Sequence, residues 1–194
     1  MIAIAPVRGT SQRLSPEHRV LYYRDNVYGV MSAQEYMDTL HRVGVSHFKA
    51  KFATTFSVCG MQTLDLLDED LRVMIAVIGD GHFANTGSKL CTVRLKKSRK
   101  ISRLQTLLKA ANIPFAQRTC GGQPDFQVFR FDAPTNDKHF TSLWWSASQH
   151  QLEIIADELP HWDSSVDKRS SKGIRFSTFI KETADFAQYA FSAA

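Results

Sequence analysis

Apolar and polar positions alternate in two different rhythms along the chain. Between Arg13 and Phe56 the apolar positions come in short β-rich runs. Val20-Leu21-Tyr22-Tyr23 and Val27-Tyr28-Gly29-Val30-Met31, separated by Arg24-Asp25-Asn26, read as a hairpin. Ser32 with Glu35 three positions later forms a capping box, and Tyr36, Met37 and Leu40 give the short helix behind it an apolar face. From Leu64 onward the rhythm lengthens. Asp68 is placed to cap a helix with Leu71, Met74, Ile75 and Ile78 on one face, which Gly79 should stop. Residues 81–85 and 90–95 read as paired strands, and Ser98 opens a helix with Ile101, Leu104, Leu107, Leu108 and Ala111 on one face, ended by Pro114. Residues 115–119 and 126–131 read as antiparallel strands flanking Cys120-Gly121-Gly122-Gln123-Pro124.

The order helix, strand, strand, helix, strand, strand then begins again. Residues 140–145 read as helical. Ser148 with Gln151 makes a second capping box ahead of Leu152, Ile155, Ala156 and Leu159, and Pro160 breaks that helix. Residues 174–178 are strand-like, and a last helix over 181–190 carries Ala184, Phe186, Ala187 and Tyr189. The expected class is α+β, with a small β-rich segment over 1–60, a first repeat over 61–148 and a second, shortened repeat over 149–194.

Composition narrows the class without choosing a function. With 194 residues, 43% hydrophobic and 22% charged, the chain can bury a core and does not have the make-up of a disordered one. A formal charge of +5 favours polyanionic partners, nucleic acid or an acidic membrane surface. The apolar run from Val73 to Ile78 falls far short of the roughly 20 residues that a membrane helix needs, and the N-terminus has no signal-peptide apolar region. An intracellular protein with no membrane partner is expected. Cys59, Cys91 and Cys120 are odd in number and widely spaced, which argues for reduced thiols rather than a disulfide framework or a zinc half-site.

Candidate chemistry lies at two helix ends. Ile78-Gly79-Asp80-Gly81 and Pro160-His161-Trp162-Asp163-Ser164 each bring an aspartate to the end of an amphipathic helix. A carboxylate there opposes the helix dipole at a cost of about 0.3–1 kcal/mol, so something positive should offset it. If the two helices pack side by side, as the small Ala76 and Ala156 would allow, both carboxylates reach one end of the interface and can share Mg²⁺ or another hard cation such as Mn²⁺. Paired carboxylates of this kind are what metal-assisted phosphodiester hydrolysis requires. The spacing alone fits equally well two unrelated aspartates in C-terminal turns.

The segment from Leu71 to His82, with Asp80-Gly81 at its end, resembles a first LAGLIDADG motif, and the segment from Leu152 to Ser164 resembles the second, degenerate one, which typically reads Asp-Glu-Leu-Pro, two residues, Asp-Gly. Ser164 replaces that last glycine. The stretches from Lys97 to Leu104 and from Ser177 to Phe186 are similar to endonuclease domains of phage inteins. The resemblance implies an αββαββα fold in each repeat, with the motif helices forming the central interface. It implies that Asp80 and Asp163 are catalytic metal ligands, each serving hydrolysis of one strand of double-stranded DNA, and that Lys181 is a catalytic lysine near the metals that can polarise the scissile region. It also implies a mobile-element homing endonuclease in the cytoplasm of a bacterial or phage-infected cell.

Beside that resemblance, the basic stretch reads as a DNA surface. Arg94, Lys96, Lys97, Arg99, Lys100 and Arg103 have no acid between them, and the alternation of Thr92, Arg94 and Lys96 puts three side chains on one strand face. Arg118, Gln127, Arg130, Arg175 and Ser177 are further DNA-contact candidates on the other strands. By itself the basic stretch reads first as a solvated strand end and helix start, and the motif helices are what turn it towards DNA. His82 and His161 adjoin the aspartates and can tune or ligate a metal, or act as surface hydrogen-bonding groups.

Leu14-Ser15-Pro16-Glu17-His18-Arg19-Val20 resembles an intein block that normally reads Thr-Pro-x-His-Arg-Val, which makes His18 a vestigial splicing residue and 1–60 a Hint-like remnant. No N-terminal nucleophile and no terminal His-Asn accompanies it, so autonomous splicing is not expected. The second repeat has room for about two strands and a helix after Asp163, where the fold calls for four strands; either the chain is a fragment, or the second half is reduced, or self-association or a complementing chain supplies the rest. The alternatives are a DNA-binding protein or RNA-splicing maturase without cleavage, and a split-intein fragment.

Overall fold

The computed structural model describes residues 2–4, 12–25, 27–44, 51–52, 58, 62–85, 87–162, 164–166 and 174–194. They form two compact units, Met1–Thr55 and Phe56–Ala194. The class is α+β, as the pattern predicts.

In the first unit, β1 (Ile2–Ile4) pairs with β2 (Gln12–Leu14), and the hairpin of β3 (Arg19–Arg24) and β4 (Val27–Ser32) takes β5 (Lys51–Phe52) on its other edge. The turn places Asp25 at φ 52, a conformation that Asp tolerates better than most residues. Helix α1 (Ala33–Val43) starts at the capping box read from the sequence: the Ser32 hydroxyl accepts from the Glu35 N–H at 3.1 Å, and the Glu35 carboxylate accepts from the Ser32 N–H at 2.8 Å. Those hydrogen bonds hold Glu35 below its ordinary pKa. Val20, Ala33 and Tyr36 form the small core.

The second unit runs α2 (Asp68–Asp80), β6 (Gly81–Phe83), β7 (Leu90–Leu95), α3 (Ser98–Ala110), β8 (Phe115–Cys120) and β9 (Gln123–Asp132). The four strands make one antiparallel sheet in the order β6-β7-β9-β8. A 3₁₀ turn (Ser142–Ser146), α4 (Gln149–Glu158), a second 3₁₀ turn (Leu159–His161), the hairpin of β10 (Ser164–Val166) and β11 (Ile174–Phe176), and α5 (Lys181–Ala193) follow. Residues of the two predicted repeats share one hydrophobic core in this unit.

Three local expectations change. Asp68 is the first helical residue rather than the cap; Leu67 holds the cap position, and Asp68 meets His150 of α4 at 2.7 Å. Gly79 does not stop α2, which continues to Asp80 and ends at Gly81. Residues 142–146 form a 3₁₀ turn rather than part of an α-helix. The second capping box forms as read, with the Ser148 hydroxyl accepting from the Gln151 N–H.

Helix α2 is central. It packs against α4, α3 and β7, and Leu71 and Val73 through Ile78 are all buried. A helix apolar on nearly every side is stable only when neighbours cover all of them. Gly81 is needed at its end: a Cβ there would lie 2.6 Å from the Val77 carbonyl oxygen, a clash that backbone alone would have to relieve.

Candidate functional site at the end of helix α2

Asp80 closes α2 with its side chain 22% exposed. The positive group that the helix dipole calls for is present twice. Lys100, in the first turn of α3, pairs directly with the Asp80 carboxylate, and its side chain is only 11% exposed. Lys138, in the chain after β9, donates to the last carbonyls of α2: Val77 at 3.0 Å, Ile78 at 2.6 Å and Gly79 at 3.3 Å. No sequence signal pointed to Lys138, which reaches α2 only through the fold.

The Lys100 ammonium also stands 5.8 Å from the centroid of the Trp162 ring, within cation–π range. Trp162 is buried and its indole N–H donates to Glu158 at 3.0 Å. The end of α2 and the segment after α4 therefore meet at one lysine. A cavity of about 180 Å³ lies beside them, with Gly79, Lys138, Trp162, Ser177 and Thr183 among its lining residues. The Thr183 hydroxyl is buried without a hydrogen-bond partner. It offers a polar contact to a ligand in that cavity.

Glu158 has no exposed surface and is held by several charged and polar partners. It accepts from Arg103 Nε at 3.1 Å, from Arg72 Nη1 at 3.0 Å and from Trp162, and Arg72 also reaches Asp157 at 2.7 Å. Burial pushes the Glu158 pKa up, but the hydrogen bonds from Arg103, Trp162 and Arg72 outweigh it and hold the carboxyl below its ordinary value. Cys91, buried on β7, is pushed up to about 11 by that burial and stays a thiol.

The structure separates the sequence candidates. Asp163 lies outside the described residues; of its neighbours, Trp162 is held as above and Ser164 stands opposite Phe176 in the β10–β11 hairpin. Lys181 is exposed at the start of α5 and pairs with Asp185. Thr92 and Arg94 share one face of β7, with the exposed Lys96 just past its end, while Cys91, Val93 and Leu95 face the core. Across the sheet, His82, Thr92, Arg130 and Ala116 stand in one row and Arg94, Val128 and Arg118 in the next. Arg94 and Lys96 sit 5.2 and 5.7 Å from the Phe126 ring, and Lys96 pairs with Asp125 at 3.3 Å.

Gln127 falls in the other alternation set, with Phe129 and Phe131, and its amide bonds to Thr119 and Gln117. It is not on the Arg94 face. Lys97 and Arg99 are exposed, Arg99 donating to the His161 carbonyl at 2.9 Å, but Lys100 and Arg103 turn inward to Asp80 and Glu158. The basic run is thus split, because residues three apart at the start of α3 follow the helix period rather than the strand period. Ser177 is exposed and lines the cavity, and Arg175 stands opposite Ser165, its side chain outside the described set. His18 is exposed; its carbonyl accepts from the Ala33 N–H at 2.8 Å and its N–H donates to the Ser15 carbonyl at 3.1 Å, which ties the turn to the start of α1.

Asp80 presents a carboxylate whose charge Lys100 neutralises. Among the described residues, no group of three His, Cys, Asp or Glu side chains is placed to hold a metal. No protein-family model matches the chain, and no curated protein matches it in sequence.

Proposed function

We propose that this chain is a site-specific, divalent-metal-dependent DNA endonuclease of the LAGLIDADG type that makes a double-strand break, with α2 and α4 as its paired motif helices. One observation carries the reading: the end of α2, which bears Asp80, and the residues that follow α4 and lead into Asp163 meet at Lys100. The order of α2, β6, β7, α3, β8 and β9, with one four-stranded antiparallel sheet, supports the αββαββ half of that fold.

In this reading Asp80 and Asp163 hold Mg²⁺ or Mn²⁺. Bound there, the ion supplies Lewis-acid polarisation of the scissile phosphodiester and an activated water. The chain's own residues do the rest. Arg94, Arg118 and Arg130, on one open sheet face, with Lys96 just past the end of β7, neutralise backbone phosphates, and Thr92 and His82 in the same rows offer hydrogen bonds to base edges or backbone. Glu158, through Trp162, fixes the segment that precedes Asp163.

The pairing of Asp80 with Lys100 favours a second reading, a DNA-binding protein in which the lysine permanently neutralises the carboxylate. A cleavage assay on a library of duplex sites with Mg²⁺ separates the two. Specific cutting by the unmodified chain that is lost in Asp80→Asn and Asp163→Asn, with binding retained, supports the nuclease. Specific binding without cutting by any form supports the second reading.

A further inference from the structure

Lys100 and Asp80 form an ion pair at the end of α2. The ammonium is in direct contact with the carboxylate, and both side chains are largely shielded from solvent. Such a pair is screened far less by salt than an exposed one. In that same position the ammonium stands 5.8 Å from the centroid of the Trp162 ring, and Trp162 is fixed by its hydrogen bond to Glu158 and by burial.

We propose that Lys100 is an internal counter-ion that competes with divalent metal for Asp80 and sets the metal affinity of the site. A divalent ion at Asp80 would have to displace the ammonium from the carboxylate. The lysine keeps the helix end neutral in the metal-free chain, which offsets the unfavourable dipole term, and it raises the metal concentration at which the site fills. The inference rests on the nuclease reading for the identity of Asp80 as a metal ligand, and on the ion pair for everything else.

The test is Mn²⁺ binding to the full-length chain, with free Mn²⁺ read by electron paramagnetic resonance and no DNA present. The proteins are the unmodified chain, Lys100→Gln, Lys100→Met, Lys100→Arg and Asp80→Asn. Lys100→Gln and Lys100→Met should bind Mn²⁺ about tenfold more tightly than the unmodified chain, the scale expected for removing one shielded competing charge. Lys100→Arg should keep the weaker affinity, and Asp80→Asn should lose the site. Structural damage lowers metal affinity, so a gain has no such trivial source. Two neutral variants guard against one that fails to fold. Equal Mn²⁺ affinity with and without the lysine charge, in proteins whose binding still depends on Asp80, overturns the counter-ion role and leaves the nuclease reading standing. Absence of Asp80-dependent binding in the unmodified chain and in both neutral variants overturns both.

Discussion

At Glu158 a charge without exposed surface is satisfied by two guanidinium groups and one indole N–H. Removing the anion leaves Arg103 and the Trp162 N–H without this acceptor, while Arg72 keeps Asp157 at 2.7 Å. Glu158→Leu leaves Arg72 and Arg103 facing each other without their shared anion, and should cost about 3–5 kcal/mol in urea unfolding. The same residue gives the fold an acid limit. Its pKa is lower in the folded chain than in the unfolded one, so its contribution is complete above the unfolded value of about 4.3 and is lost as pH falls through the lower folded value. Glu158→Gln should therefore flatten the acid side of a plot of urea midpoint against pH; an unchanged acid slope would show that other carboxylates set it. The sequence placed Glu158 in a helix, but nothing local told that two arginines from other helices converge on it.

At the scale of one element, α2 shows how far periodicity reaches. The spacing of Leu71, Met74, Ile75 and Ile78 predicted one apolar face, and that face is buried. Val73, Ala76 and Val77 are buried too, because α3, α4 and the sheet surround the helix. Its C-terminal carbonyls find their donor in Lys138, from a segment distant in sequence. Lys138→Met removes that donor and its charge from the negative end of the dipole, and should destabilise the unit by about 1–2 kcal/mol, seen as a lower Tm. A Tm equal to that of the unmodified chain would mean that water replaces the ammonium without loss.

Across the second unit, strand alternation sorts charge. Arg118 and Arg130 stand on the face of Arg94, while Gln127 stands on the other. If that face meets DNA, replacing Arg118 and Arg130 together by Ala should reduce the slope of log binding constant against log salt by about 2 in duplex anisotropy titrations. Gln127→Ala should leave the slope unchanged, and equal effects from the two changes would rule out this face as the phosphate surface. Among the described residues, no helix is long and apolar enough to cross a membrane.

Periodicity, capping residues and turn residues lie within a few positions of each other, so the sequence by itself determined the α+β class, the β3–β4 hairpin, both capping boxes and the inward-outward alternation of β7. It also singled out Asp80 as a carboxylate in need of a cation. Which cation answers it was decided only by the tertiary structure. Lys100 looked like one more member of a basic surface run, and Lys138 had no local mark at all. The reason is physical: hydrogen-bond and ion-pair partners of buried groups are chosen by distance in space, and the path that brings α3 and the segment after β9 to the end of α2 is set by burial of the whole core rather than by any neighbouring residue.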